Sequence, residues 1–149
     1  MTSKRKVWVY VDVVCDLFHC GHVEFFRKAR CLGDGLIVGV HNDEIVASYK
    51  PRPIMTMAER TAVVRACRYV DYVLADAPLE CTAAHLDAIG ADFACHGDDL
   101  SPQDIKRMYG DLIPRNRLKV VSYTPGISSR ELIARIATRL RDGSLRISI

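Results

Sequence analysis

The sequence predicts an α/β fold in which a parallel sheet carries helices on both faces. Two observations support this. Short β-branched or apolar runs alternate with helix-patterned stretches along the whole chain. Glycine, or a capping Ser, Thr or Asn, marks most of the changes from one kind to the other. Val7–Val13, rich in β-branched and aromatic residues, reads as the first strand. Gly21–Leu32 places Val23, Phe25, Phe26, Ala29 and Leu32 near helical spacing and stops before Gly33. Gly35–His41 is a second strand, of the buried type. Asn42 or Asp43 caps a short helix to Ser48, and Lys50–Pro53 is a Pro-flanked loop. Thr56 and Glu59 form a capping-box pattern that opens a helix to about Cys67. Tyr69–Ala75, Asp92–His96 and Leu118–Tyr123 complete the strands. Helices over Thr82–Ile89, Pro102–Tyr109 and Ser128–Arg141 fill the intervals.

At 149 residues and 16.7 kDa the chain has the size of one domain, expected to span 1–149. Apolar residues make up 49% and charged residues 26%, a globular balance that excludes a disordered or acidic solvating chain. No apolar run approaches the roughly 18 residues of a membrane span. The basic start, Met1–Lys6, is not followed by a signal-peptide core, so a cytoplasmic location is expected. The six cysteines include no CxxC pair and read as reduced thiols rather than a disulfide framework. A net charge of +3 suits the handling of small anions and does not point to nucleic acid.

In a doubly wound parallel sheet the ligand sits beyond the carboxyl ends of the strands. Four clusters fall there. Asp16-Leu17-Phe18-His19-Cys20-Gly21-His22 combines two imidazoles with a helix start, whose unpaired N–H groups favour phosphate. A zinc fragment is the competing reading, but its spacing matches no common zinc pattern. Thr124-Pro125-Gly126-Ile127-Ser128-Ser129 sets a glycine and hydroxyls before a helix, which serves equally as a cap or a phosphate loop. Tyr49-Lys50-Pro51-Arg52 holds two cations; alone, it reads as a solvated loop. His96-Gly97-Asp98-Asp99 offers carboxylates for ribose hydroxyls, a cation or a helix cap. In the last helix Leu132, Ile133, Ile136 and Leu140 form one stripe, read as a face docked on the sheet, with Arg130, Arg135, Arg139 and Arg141 solvated.

His19-Cys20-Gly21-His22 resembles the HxGH signature of a nucleotidyltransferase superfamily. The order of Asp16–His22, Leu36–Glu44, Glu59-Arg60, Arg68–Asp71, His96–Asp99 and Gly126–Ser129 resembles the cytidylyltransferases that make CDP-ethanolamine, CDP-choline and CDP-glycerol. The resemblance runs from about Val7 to Leu140. It implies a Rossmann-like three-layer α/β/α sandwich with a mostly parallel five-stranded sheet. It also implies formation of a CDP-alcohol and pyrophosphate from CTP and a phosphoalcohol, with Mg2+ as cofactor held through the phosphates rather than by side chains. His19, His22 and Lys50 take the catalytic positions, with Lys50 also bridging to the substrate. Val14, Cys15, Gly21, Gly97, Asp98, Thr124, Gly126, Ile127, Ser128 and Ser129 take the nucleotide-binding positions. Asp16 and Leu79 match the alcohol pocket, Asp16 near the polar head. Arg68, Tyr69, Val70 and Asp71 match a dimer-interface signature, implying a homodimer.

Several positions depart from the pattern. Val13 stands where a glycine is usual, Cys15 where an aromatic is usual, and Tyr123 where an arginine contacts phosphate. Arg52, Arg60 and Arg130 are the candidate replacements. Leu79 in place of an aromatic wall disfavours a quaternary ammonium, and the contexts of His41 and His96-Gly97 resemble the ethanolamine branch. Phosphoethanolamine is therefore the expected substrate, with phosphocholine and glycerol 3-phosphate as alternatives. A binding relative with impaired catalysis is a further alternative, motivated by Tyr123 and Val13.

Overall fold

The computed structural model describes residues 3–148. Five strands form one sheet: β1 (Trp8–Val13), β2 (Gly35–Val40), β3 (Tyr72–Ala75), β4 (Phe93–Gly97) and β5 (Leu118–Val121). Their order is β3-β2-β1-β4-β5, and every pairing is parallel, so the sheet is wholly rather than mostly parallel. Between them run α1 (Cys20–Arg30), α2 (Asp43–Ala47), α3 (Met57–Arg65), α4 (Ala83–Ile89) and α5 (Pro102–Tyr109), with α6 (Ser129–Arg141) last.

The alternation of side chains along each strand builds two cores. Val9, Val11, Leu36, Val38, Val40, Phe93 and Cys95 pack with Phe26 and Ala29 of α1 and Val64 of α3. On the opposite face Tyr10, Ile37 and Ala94 pack with Ala83 and Leu86 of α4 and Met108 and Tyr109 of α5. All six cysteines are free, and four of them are buried.

The caps read from sequence at Asn42, Thr56 and Ser128 hold, each accepting a backbone N–H at a helix start, and Thr56 with Glu59 forms the reciprocal box. Thr82 and Ser101, not read as caps, do the same for α4 and α5. Two strands are shorter than expected by more than one residue. Val70 N donates to Cys67 O at 3.0 Å in a turn that delays β3 to Tyr72. Tyr123 N turns away to the Asp98 carboxylate at 2.7 Å, so β5 ends at Val121.

The stripe on α6 is a correction. Among the described residues of α6 none is buried; Ile133 and Ile136 are 44% exposed and Leu140 39%. Four helices already cover both faces of the sheet, and α6 is held mainly at its N-terminal end.

Arg60 is fully buried and donates to Met55 O at 3.2 Å, Val14 O at 2.7 Å and Asp43 Oδ1 at 2.6 Å. It therefore ties the end of β1 to the starts of α2 and α3. Arg60→Met leaves the Asp43 carboxylate and two carbonyls without their partner. The expected loss is about 3–5 kcal/mol, read as a fall in Tm of about 10 °C.

Candidate active site

The sheet order places the switch point between β1 and β4, where connections leave in opposite directions. A cleft of about 910 Å³ opens there, beyond the carboxyl ends of the strands. His19, Gly21, His22, Lys50, Gly97, Thr124, Ile127, Ser128, Ser129 and Val14 all line it.

His19 is the N-cap of α1, and its Nδ1 accepts the Gly21 N–H at 3.0 Å. His22 reaches back, its Nδ1 accepting the His19 N–H at 3.2 Å. The two rings stack at 3.9 Å, and Phe18 stacks on the outer face of His22 at 5.6 Å. Because both Nδ1 atoms accept, each neutral ring carries its proton on Nε2 and is a donor there. A side chain at Gly21 could not be accommodated: its Cβ would lie 2.8 Å from His19 Cε1 and 3.2 Å from Ile127. The spacing H-x-G-H is thus a capping box built from imidazoles.

Lys50 stands at the mouth of the cleft with its Nζ 5.5 Å from the centre of the Tyr49 ring. Arg107 lies over the same ring at 5.8 Å and also lines the cleft; it drew no notice in the sequence. Asp16 holds this loop in place. Its two carboxylate oxygens accept Ile54 N and Met55 N, each at 2.8 Å, and Leu17 N at 3.1 Å. The Asp16 oxygens are thus engaged by backbone N–H groups, and the carboxylate stands close enough to His22 and Lys50 to favour their charged forms.

At the other wall Ser128 caps α6, and Ser129 Oγ donates to Asp16 O at 2.6 Å, joining the two helix starts. Gly126 takes φ 91°, a value that favours glycine, and lets the loop turn into the helix. Lys28 Nζ donates to Ser122 O at 2.9 Å and to Thr124 Oγ1 at 3.3 Å. Tyr123 lines the cleft and its hydroxyl donates to Ile127 O at 3.3 Å. Of the arginines considered as replacements there, Arg60 is consumed by its buried bonds and Arg52 lies 3.8 Å from Asp43; Arg130 alone lines the cleft.

Three other expected residues lie elsewhere. Cys15 is buried in the core, its backbone at φ 57°. Leu79 is half-buried against the cluster that includes Tyr10, Leu86 and Tyr109 and is not among the residues that line the cleft. Asp98 is exposed, with one oxygen accepting Tyr123 N, and Asp99 lines the cleft instead. In the Arg68–Asp71 stretch Arg68 lies over the Tyr69 ring, Tyr69 and Val70 pack on the core, and Asp71 accepts Leu36 N and Arg30 Nε.

The sequence reading missed Asp12. It is the penultimate residue of β1, faces Tyr109 of α5 and lines the cleft. The Tyr109 hydroxyl donates to its Oδ1, while its Oδ2 is shielded and has no partner among the described residues. Burial raises its pKa, against the opposing pull of His41 and Tyr109. The available signal was a lone carboxylate on the Tyr10 side of an otherwise apolar strand.

A cleft with two Nε2–H donors, a lysine and two helix starts at one end suits a polyphosphate. Residues 14–135 match the family model described as cytidylyltransferase-like. The chain belongs to the cytidylyltransferase-like family. This cytidylyltransferase-like chain is 39% identical to the ethanolamine-phosphate cytidylyltransferase of Dictyostelium discoideum, over 99% of its own length and 41% of the relative's. It is 37% identical to that of Mus musculus, over 90% and 33%. Choline-phosphate cytidylyltransferase 2 of Arabidopsis thaliana is 36% identical over 91% and 46%. The chain thus spans less than half the length of these relatives. Among solved structures, a lipopolysaccharide core biosynthesis protein of Thermoplasma volcanium superposes with a TM-score of 0.66 at 19% identity, covering 80% of this chain and 99% of that one, a likeness of fold. Among the described residues no helix is long and apolar enough to cross a membrane.

Desolvation pushes the His22 pKa down to about 3, with the positive fields of His19 and Lys50 adding to it. His19 is lowered by the same cause, and Lys50 is lowered first by desolvation, with Asp16 opposing. Both rings are therefore uncharged N–H donors at neutral pH. Between the ordinary value of 6.5 and about 3 the unfolded chain binds a proton that folded His22 does not. Stability therefore rises with pH through that window and is lost on acidification. Urea titrations at pH 7 and pH 4 should show a smaller acid loss in His22→Gln than in the unmodified protein.

Proposed function

We propose that the chain transfers the cytidylyl group of CTP to phosphoethanolamine, releasing pyrophosphate and forming CDP-ethanolamine. One observation carries this: a single cleft joins a polyphosphate-binding end, His19, His22, Lys50 and Ser128, to a buried carboxylate end, Asp12. The names of the relatives point to the same alcohol.

An oxygen of the phosphomonoester attacks the α-phosphorus of CTP. A P–O bond forms as the bond to the bridging oxygen breaks, and pyrophosphate leaves with that electron pair. The phosphomonoester is largely dianionic near neutral pH, so no general base is needed. The obstacle is the meeting of two anions, and positioning with charge neutralisation is the remedy. His19 and His22 donate from Nε2 to the α-phosphoryl oxygens, where charge grows. Lys50 swings between the two phosphates, and its loop position permits that reach. The Gly126–Ser129 turn and the start of α6 hold the outer phosphates. Gly97 allows close approach of the nucleoside, and the Asp12 carboxylate receives the ammonium, which offsets the cost of its burial.

Magnesium would enter as a companion of the CTP phosphates, held through them rather than by side chains. When bound it supplies positive charge to the leaving pyrophosphate. We place the chain in the cytoplasm as a homodimer through Arg68–Asp71. Tyr123 favours a second reading, nucleotide binding without turnover, since the arginine expected there is absent and, of the two arginines that line the cleft, Arg107 is paired with Asp104.

Pyrophosphate release with CTP should be highest for phosphoethanolamine, above phosphocholine and glycerol 3-phosphate, and far lower with ATP. His22→Ala and Lys50→Ala should each reduce turnover by about 10²–10³-fold; the melting temperature should be unchanged in Lys50→Ala and should fall by a few degrees in His22→Ala, which also loses the reciprocal cap. CTP binding by calorimetry with no pyrophosphate from any of the three alcohols would select the second reading.

A further inference from the structure

Beneath the phosphate end lies a group of polar atoms that the transfer step does not use. His41 and His96 are 1% and 4% exposed. His41 Nδ1 is 3.1 Å from Ala77 O, and His96 Nδ1 is 2.5 Å from Gly97 O. A carbonyl only accepts, so both rings carry the proton on Nδ1. This is the opposite tautomer to His19 and His22. In the uncharged ring Nε2 is then a bare lone pair, and for both residues it has no partner among the described residues. Asp12 Oδ2 is the third such acceptor, because the Tyr109 hydroxyl occupies only Oδ1.

The sheet brings the three together. Asp12 pairs with Gly39, two residues before His41, and His41 N donates to Val13 O at 3.0 Å. Tyr10 pairs with Ala94, two residues before His96. With side chains alternating, Asp12, His41 and His96 point to the same face of neighbouring strands. The His96 ring stacks on Tyr109 at 5.3 Å, the residue that fixes Asp12. All four line the cleft. Three buried acceptors without a donor are costly unless a ligand supplies donors.

We propose that His41 and His96 are specificity-determining residues which, with Asp12, recognise a primary ammonium by its three N–H bonds. This rests on the reading of Asp12 as the ammonium end of the cleft. A primary ammonium satisfies all three acceptors, and each N-methyl group removes one donor and leaves a buried lone pair unmet. Selectivity therefore comes from hydrogen-bond count and not from an aromatic enclosure.

The test is a methylation series: phosphoethanolamine and its N-methyl, N,N-dimethyl and N,N,N-trimethyl derivatives, each with CTP, scored as kcat/KM. The first methyl should reduce kcat/KM by roughly tenfold, with further falls along the series. His41→Leu should raise the KM for phosphoethanolamine and shrink that first step to under threefold, while the KM for CTP stays unchanged. His41→Gln, which keeps an acceptor, should recover part of the step, and His96→Gln gives an independent reading if His41→Leu does not fold. Equal use of all four substrates, or a step unchanged in the His41 and His96 variants, overturns the proposal. If no substrate releases pyrophosphate, the proposed activity fails but this inference is still decided by calorimetry. Tighter binding of phosphoethanolamine than of phosphocholine, lost in His41→Leu, supports it; equal affinities or no binding of either overturns it.

Discussion

The reciprocal cap at the start of α1 is the constraint from which the rest of the site follows. Two backbone N–H groups that a helix must satisfy are given to His19 Nδ1 and His22 Nδ1. That single arrangement fixes where the rings lie, which nitrogen keeps its proton and which direction the remaining N–H faces. It also requires Gly21, since any side chain there collides with the His19 ring. Local helix chemistry and phosphate chemistry are served by the same four residues.

The parts that surround this cap are held by backbone bonds rather than by surface ion pairs. Asp16 fastens the Ile54-Met55 segment and, through its own carbonyl, Ser129. Arg60 fastens Val14, Met55 and Asp43 from within the core. Loops from three different elements are thereby set around one cleft. Among the described residues Lys50 and Arg130 are the cleft-lining cations without a hydrogen-bonding partner, which leaves Lys50 free for the movement proposed for it.

Much of this was legible in the sequence because it is local. Capping residues, the alternation of strands and helices, and the H-x-G-H spacing each act within a few positions, and the structure places them as read. What escaped was tertiary. Asp12 carries no local signal beyond its charge, and its meaning depends on Tyr109 arriving from a distant helix. The hold of Asp16 on its loop was hidden because nothing nearby in sequence reveals Ile54 and Met55 as its partners. Leu79 was assigned to the alcohol pocket by its position in a pattern, and periodicity alone did not show that it packs against the core. The α6 stripe shows the reverse limit: periodicity identifies a face that favours burial without saying whether anything covers it.

The way α6 is attached has a dynamic consequence. Its first turn is joined to Asp16 and to the Ser128 cap, while its later turns lack buried side chains. Amide protons near Arg139 should exchange with solvent by fraying of the helix, without opening of the sheet. An anion seated at the first turn would stabilise the helix from its root, so occupancy of the cleft would be felt along the helix as slower exchange.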